Sequence, residues 1–274
     1  MDKPELSSFF KSFWKQKRLV VACLLLFAGS SNCKAQSKSD TFDYPFKLGE
    51  KLEYNMKYGW FEIGKAEVFI DEEFWIINDK PHFYVQCQVK SVGFFGFFAK
   101  LNVCLDSWID AQTLRPLQSS RDISFGNKID IRTDQFDYQD SVRIAAYVED
   151  VDSHRFHSFL QTQVPVLDVL STYLFLRNKG ADNRNSSALI PVQTFFSNDL
   201  YNFGMAPSTT EEITINEDNY RVQRYELLFP KTEEFPSGKE AYVLASKDAL
   251  SIPLKFSIEM RFGDFTFELV DYQN

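Results

Sequence analysis

Residues 52–58 read Leu-Glu-Tyr-Asn-Met-Lys-Tyr, with an apolar or aromatic side chain at every second position. Successive side chains of a β-strand point to opposite faces, so this alternation predicts a strand that buries Leu52 and Tyr54 on one face. Gly59 follows at a predicted turn, and residues 63–70 continue the pattern as a second strand with one shift of phase. The stretch therefore predicts a β-hairpin near the start of the folded chain.

The same alternation recurs along most of the chain and predicts about a dozen strands. Residues 78–81, 125–127 and 216–219 are rich in Gly, Pro, Asn and Asp, which supply the backbone conformations of tight turns. Strands joined by such turns pair antiparallel, so we expect an antiparallel sheet of sequential neighbours. The further alternating runs lie at residues 83–89, 101–109, 129–138, 142–148, 213–215, 220–229, 241–245, 252–262 and 265–270.

One segment departs from the two-residue period. Residues 166–178 carry Leu170 and Leu174 at helical spacing, with Pro165 before them and Gly180 after them. Pro at the start and Gly past the end are typical of helix boundaries. We therefore predict a single amphipathic helix inside a mainly β domain.

The first 35 residues have the order of a secretory signal peptide. Four basic residues between positions 11 and 18 precede an apolar run at 19–28, which is too short to span the ~30 Å hydrocarbon core of a membrane as a helix. Cys33 and Ala35 are the small residues that place the cleavage between Ala35 and Gln36. The mature protein is therefore expected to be periplasmic or secreted.

Cleavage at that point leaves a flexible lead-in at 36–44 and a single β domain at 45–274. The alternative is a lipoprotein anchored through Cys33, which follows the apolar run, but Asn32 stands where a small residue is expected. No later segment approaches the ~20 apolar residues of a transmembrane helix.

Composition points to a large aromatic core. Hydrophobic residues make up 44% of the chain and 28 of its residues are Phe, which excludes global disorder. The formal net charge is −8, and the predicted signal peptide contains six basic and two acidic residues, so the mature chain carries −12. This charge argues against nucleic acid as a partner.

Short motifs follow one another through the mature chain, and together they resemble a bacterial family of exported proteins known as domain of unknown function 3108 (DUF3108). The family is similar in architecture to the periplasmic lipoprotein carriers of the LolA and LolB type. The resemblance therefore implies one large, strongly curved antiparallel sheet, a half-barrel or open barrel, with the helix packed as a plug or lid over an apolar cavity. It implies no catalytic residue. The motifs are LGEKLEY at 48–54, GKA at 64–66, KSVG at 90–93, DSWID at 106–110, LRP at 114–116, DVLSTYLFLR at 168–177 and SIPLK at 251–255.

The histidines predict no metal site. His154 and His157 are spaced so that one helix face would carry both, but a metal normally needs a third or fourth ligand. The surrounding segment reads as a strand end or loop, so we interpret both as surface residues. His82 is the third histidine of the chain.

Carboxylates and cysteines give no catalytic pattern either. Asp130, Asp134 and Asp137 share one predicted strand and are interpreted as its solvated outer face. The sequence has no Gly-x-Ser-x-Gly elbow, and nothing around Cys87 or Cys104 would lower a thiol pKa. An oxidising compartment permits a disulfide between them, but the alternation places them on opposite faces, so the bridge is left open. We expect a non-enzymatic protein without a cofactor.

Residues 93–98 read Gly-Phe-Phe-Gly-Phe-Phe at the tip of a predicted hairpin, where turns are normally polar. These rings either fold back to close one end of the core or form an exposed tip that dips into a membrane or binds a partner. Lys90 and Lys100 flank the segment and would favour lipid head groups. The residues of the tip are Phe94, Phe95, Phe97 and Phe98.

The aromatic surplus favours a binding function. An ordinary core does not need 28 Phe, so we expect part of them to line a cavity for an apolar or lipid-like ligand. The competing hypothesis is a structural or assembly factor that binds another envelope protein or a polysaccharide. A third is a hydrolase whose acidic residues converge from distant strands. The predicted cavity walls are Tyr54, Tyr58, Phe83, Trp108, Leu170, Leu174 and Phe256.

Overall fold

The predicted signal peptide lies outside the part of the chain that the structure describes. The cleavage between Ala35 and Gln36 and the lipid anchor on Cys33 therefore stay predictions. Within the described ranges, no helix is both long and apolar enough to cross a membrane. The structure, a computed structural model, describes residues 42–98, 100–138, 142–149, 155–162, 166–182, 188–197, 199–215, 217–229, 240–260 and 263–274.

The described residues form fifteen strands and two helices. The strands are β1 (Lys51–Tyr58), β2 (Phe61–Ile70), β3 (Trp75–Ile77), β4 (Lys80–Ser91), β5 (Leu101–Asp110), β6 (Pro116–Phe125), β7 (Lys128–Asp137), β8 (Val142–Glu149), β9 (Arg155–Thr162), β10 (Ile190–Phe196), β11 (Asp199–Ile215), β12 (Asp218–Leu228), β13 (Ala241–Ser246), β14 (Pro253–Met260) and β15 (Gly263–Gln273). The helices are α1 (Gly93–Phe98) and α2 (Val169–Asp182).

The strands belong to one antiparallel sheet in which most neighbours also follow each other in the chain. The order is β10-β11-β12-β13-β14-β15-β1-β2-β4-β5-β6-β7-β8-β9, with β3 added to β4. Because β15 pairs with β1, the first and last strands lie side by side, and β9 and β10 remain as the two edges. The predicted fold class is confirmed: one large, strongly curved antiparallel sheet forms an open barrel with a helix packed against it.

Alternation places the apolar side chains on the inner face of the sheet. Along β1, Leu52, Tyr54 and Met56 are buried, while the residues between them are only partly buried. β5 repeats the pattern with Leu105 and Ile109. Buried residues from most strands and from α2 form one continuous apolar core, and the burial of this area is the main favourable contribution to folding.

Helix α2 lies in sequence between the two edge strands. Just before it, the Leu167 N–H donates to the Gln193 carbonyl at 3.0 Å, and the Phe195 N–H donates to the Leu167 carbonyl at 2.7 Å. These bonds cover part of the β10 edge, which would otherwise present unpaired backbone groups. The helix begins later than predicted because Leu167 is engaged in this bridge. It also continues to Asp182, so Gly180 is part of the helix rather than its stop.

A buried ion pair fixes α2 to the sheet near the C-terminal end of the helix. The side chains of Arg177 and Glu50 are fully buried, and Arg177 Nη1 donates to Glu50 Oε1. Nη2 donates to Glu50 Oε2 at 3.0 Å and to the Pro45 carbonyl at 2.9 Å, while Nε donates to the Leu250 carbonyl at 3.1 Å. The Tyr272 hydroxyl donates to Glu50 Oε2 at 3.3 Å. All three guanidinium nitrogens and both carboxylate oxygens thus have partners, as a buried ion pair requires.

Candidate ligand-binding site

The residues predicted to line a cavity lie on both faces of the sheet. Tyr58 is half-buried at one end, where its ring centre lies 5.0 Å from that of Phe265. Trp108 lies on the outer face with its ring against Tyr84, because its neighbour Ile109 takes the inward position. The other five belong to the apolar core and are at most 3% exposed: Tyr54, Phe83, Leu170, Leu174 and Phe256.

The inner face is filled where those five residues lie. A side chain exposed by 3% or less touches protein atoms on nearly all sides, and of these five residues only Leu170 borders the small pocket described next. Leu170 and Leu174 of α2 supply atoms that cover the sheet, and the Tyr54 hydroxyl donates to the Pro253 carbonyl at 2.8 Å. Helix α2 therefore fills the concave face as a plug.

Open space lies instead beside the first turn of α2. A pocket there has an apolar side that includes Leu105 and Phe195 and a polar side that includes Arg121, Asp134 and Asp168. As folded, it has room for water molecules rather than for a large ligand. It lies between the main core and a second apolar cluster made of Phe136, Ile144, Val166 and Phe195.

Arg121 is the polar residue that distinguishes this pocket. Strand β6 turns it inward, opposite Leu105, and only 6% of it is exposed. Its Nη2 donates to Asp130 Oδ2 at 2.9 Å and to Ser197 Oγ at 3.3 Å, and its guanidinium lies 4.6 Å from the centre of the Phe196 ring. Nε and Nη1 have no hydrogen-bond partner among the described residues. Burial lowers the pKa of Arg121 because it disfavours the charged form.

Asp168 caps the N-terminus of α2 at the same pocket. Its Oδ1 accepts from the Ser171 N–H at 2.7 Å and from the Ser171 hydroxyl at 2.6 Å, while the Asp168 N–H donates to Ser171 Oγ at 2.9 Å. This reciprocal cap explains why the helix starts where it does. Burial raises the pKa of Asp168, against the opposing effect of the Ser107 and Ser171 hydroxyls.

The interpretation of the β7 carboxylates as a solvated face is wrong for two of the three. Asp130 and Asp134 face inward, where Asp130 pairs with Arg121 and Arg132 Nε donates to Asp134 Oδ1 at 2.7 Å. Asp137 is exposed on the other face. A polar residue can occupy an inward position of this strand because each of these two carboxylates pairs with an arginine there.

Cys87 and Cys104 are free thiols on neighbouring strands. The register pairs Cys87 with Leu105 and Gln88 with Cys104, so the two sulfurs lie on opposite faces, as the alternation predicted. Cys87 is fully buried, and this burial raises its pKa well above the ordinary value. Its thiol is therefore protonated and shielded from reactants.

The histidines give no metal site within the described ranges. His82 is buried, and its Nδ1 lies 2.9 Å from the Lys80 carbonyl oxygen. His154 and the side chain of His157 fall outside the described residues, so their interpretation stays a prediction. Among the side chains that the structure describes, no group of three or more His, Cys, Asp or Glu could hold a metal ion.

The Phe-rich segment forms the six-residue helix α1 instead of a hairpin turn. Phe97 is 84% exposed, whereas the side chains of Phe94, Phe95 and Phe98 lie outside the described residues. The Val92 N–H donates to the Ile63 carbonyl at 3.0 Å and holds α1 beside the start of β2. There, Trp60 is 82% exposed and its ring centre lies 3.6 Å from that of Phe61. We call Trp60, Phe61 and Phe97 the aromatic end.

Sequence reasoning missed Arg121 and Asp168 as pocket residues and Trp60 as part of the aromatic end. A signal for Arg121 existed: it is two residues before Ile123 and so shares the inward face of the same strand. Trp60 directly follows Gly59 of the predicted turn, where a large aromatic residue is unusual. Asp168 lies inside the segment predicted as a helix, and nothing in the linear sequence placed it at the same pocket as Arg121.

Comparisons with known proteins agree with this architecture. The crystal structure of a β-barrel-like protein of the domain of unknown function DUF1849 from Brucella abortus is similar, with a TM-score of 0.53 and 7% sequence identity over 83% of this chain and 98% of that chain. This likeness concerns the fold alone. No curated protein matches. A family model described as "Protein of unknown function (DUF3108)" matches residues 53–270, and the chain therefore belongs to the DUF3108 family.

Proposed function

We propose that the chain is an exported, non-enzymatic protein that binds an apolar or lipid-like ligand on the concave face of its sheet, with α2 as a displaceable lid. The observation that carries this proposal is the covering of an apolar concave face by one helix that is separate from the sheet. If α2 moves away, the apolar residues beneath it become a groove that suits an acyl chain. The filled interior is then the closed state of the protein.

The attachment of α2 supports opening at its N-terminal end. The C-terminal end is fixed by the buried Arg177–Glu50 pair, whose atoms all have partners. At the N-terminal end, the helix meets β10 through the Leu167 bridge and through the hydroxyls of Thr172 and Thr194, which lie 2.7 Å apart. Single neutral hydrogen bonds contribute about 0.5–1.5 kcal/mol each, much less than a buried ion pair costs to break.

Two further observations favour binding over catalysis. The thiol of Cys87 is buried with a raised pKa, so it is not an accessible nucleophile. The inward-facing carboxylates of β7 are engaged by Arg121 and Arg132 rather than poised around an open cleft.

A disulfide that locks the lid tests the proposal. Thr172→Cys with Thr194→Cys places two thiols where two hydroxyls now touch. The oxidised double variant should bind the apolar fluorophore N-phenyl-1-naphthylamine at least about tenfold more weakly than the reduced form. The single Thr172→Cys variant, treated with the same oxidant, is the matched control. Equal binding by the locked and reduced forms would show that α2 is not a lid.

Purification of the wild-type protein without detergent provides a second test. Solvent extraction followed by mass spectrometry should recover a bound lipid, and the mass of the mature chain should correspond to cleavage between Ala35 and Gln36. Recovery of an intact leader or of a cytosolic protein would remove the envelope setting on which the proposal depends.

The aromatic end supports a second candidate, an assembly factor that binds another envelope protein or a polysaccharide. Exposed Trp60 and Phe97 at one end of the sheet would serve either contact with a bilayer or contact with a partner. Sedimentation with phosphatidylcholine vesicles distinguishes a carrier from an assembly factor. A carrier should co-sediment with the vesicles, and the double variant Trp60→Ser with Phe97→Ser should abolish this co-sedimentation. Ile76→Ser, an exposed apolar residue on β3, is the control. No co-sedimentation would favour the assembly role.

A further inference from the structure

Arg121 carries two hydrogen-bond donors that no described residue uses. Nε and Nη1 lack partners although the side chain is 94% buried. The guanidinium has a fixed position, because Asp130 and Ser197 hold its other terminal nitrogen and Phe196 packs against its plane. Buried donors of this kind are rare in native proteins, and ordered water or a ligand normally satisfies them.

The same pocket holds an unused acceptor. Asp168 Oδ2 is buried without a hydrogen-bond partner among the described residues, while Oδ1 is taken by Ser171. The nearby Ser107 hydroxyl, which acts on the pKa of Asp168, donates to the Gln118 carbonyl at 3.5 Å. Arg121 and Asp168 both line the pocket, one from β6 and the other from the start of α2. A chemical group that accepts from Arg121 and donates to Asp168 would satisfy both side chains at once.

The local charge restricts which group that is. Around the pocket, Arg121 pairs with Asp130 and Arg132 pairs with Asp134, so both cations already have an acidic partner. An anionic head group would add a further uncompensated charge in a buried place, which is costly. Hydroxyl and ester oxygens accept and donate hydrogen bonds without adding charge.

We propose that this pocket binds the uncharged, oxygen-rich head group of a lipid, as in a monoacylglycerol. This inference rests on the proposed binding of a lipid-like ligand and deepens it. The apolar side of the pocket, which includes Leu105 and Leu170, leads from the head-group position into the core, where the acyl chain takes the place vacated by α2. Opening of the lid at its N-terminal end enlarges the pocket that now holds only water-sized space.

Competition titrations on the full chain test the head-group site. Monopalmitoylglycerol should displace N-phenyl-1-naphthylamine at a concentration about tenfold lower than sodium palmitate, which has the same chain and an anionic head. Arg121→Gln should weaken the binding of monopalmitoylglycerol by about 10- to 100-fold, because a hydrogen bond to a charged donor is lost. Binding of the fluorophore, which has no such head group, should not change. Lys128→Gln removes an exposed positive charge of β7 outside the pocket and is the matched control.

The outcomes separate this inference from the proposed function. Arg121→Lys keeps the positive charge beside Asp130 but removes the Nε and Nη1 donors, so it serves if Arg121→Gln does not fold. If both variants bind monopalmitoylglycerol as the wild type does, the pocket holds water only and the inference is overturned while the carrier role stands. Tighter binding of palmitate would likewise overturn the head-group class. If the wild type binds neither the fluorophore nor either lipid, the proposed function falls as well.

Discussion

Two buried arginines at opposite ends of α2 have similar surroundings and different bonding. Arg177 lies 5.9 Å from the centre of the Phe46 ring, and Arg121 lies 4.6 Å from that of Phe196. Every guanidinium nitrogen of Arg177 has a protein partner, whereas Arg121 uses one of its three. The protein therefore satisfies one buried cation completely and leaves the other partly unsatisfied.

The pKa values of the two arginines are shifted in opposite directions. Burial acts to lower the pKa of Arg177, but Tyr173 and Glu50 outweigh it and the net pKa is raised. Burial also lowers the pKa of Arg121, and its one acidic partner at hydrogen-bond distance, Asp130, does not reverse this. A side chain kept at a cost to stability is typical of a functional position, while a fully satisfied pair is typical of a structural one.

The largest expected effect is on the structural arginine. Arg177→Gln leaves the buried Glu50 carboxylate without its cation, so the free energy of unfolding should fall by about 3–5 kcal/mol. Urea unfolding followed by circular dichroism measures it. Lys179→Gln on the same helix removes a solvent-exposed pair with Asp182 and should cost less than about 1 kcal/mol. Equal losses in the two variants would mean that the Arg177 pair does not hold α2.

A smaller effect is expected at the pocket. Arg121→Met removes two unpaired donors and keeps an apolar contact with Phe196, and the Asp130 carboxylate it leaves behind is 34% exposed and can be hydrated. The free energy of unfolding should therefore change by about 1 kcal/mol or less. The same urea experiment measures it. A loss as large as that of Arg177→Gln would make both arginines structural and erase the contrast between them.

Sequence patterning predicted most strands whose inner face is apolar, although it missed β10, in which Ile190 and Val192 are buried. β1 and β2 alternate clearly, and the sequence predicted both of them. It also predicted β4, although residues on both faces of that strand are buried. β6 was missed because its inward positions include Ser119 and Arg121, so hydrophobic periodicity is weak there. The polar inward residues by which β6 lines the pocket are therefore also the reason that hydrophobic alternation did not predict this strand.

Contacts between residues that are far apart in the sequence were also not predicted. The pairing of β15 with β1 joins residues more than two hundred positions apart, which no local pattern encodes. Glu50 and Arg177 both occur in motifs that carry the family resemblance, yet their sequence does not show that they meet. Trp108 was assigned to the inner face because it is large and aromatic, whereas its strand register, set by Ile109, turns it outward.

The smallest effect concerns Asp168, and it depends on pH. Because burial raises its pKa, the folded state prefers the neutral acid, and wild-type stability falls as pH rises from the ordinary Asp value of 3.8 through the raised folded value. Asn caps a helix about as well as Asp and carries no charge. Asp168→Asn should therefore match the wild type at the acid end of this range and become the more stable protein as pH approaches neutrality. The difference in stability between the two proteins is measured from their urea midpoints at several pH values between 3.8 and neutrality. If the stability advantage of Asp168→Asn instead falls as pH rises, the pocket stabilises the Asp168 carboxylate. Arg121 would then be the partner of that carboxylate rather than a free donor for a ligand.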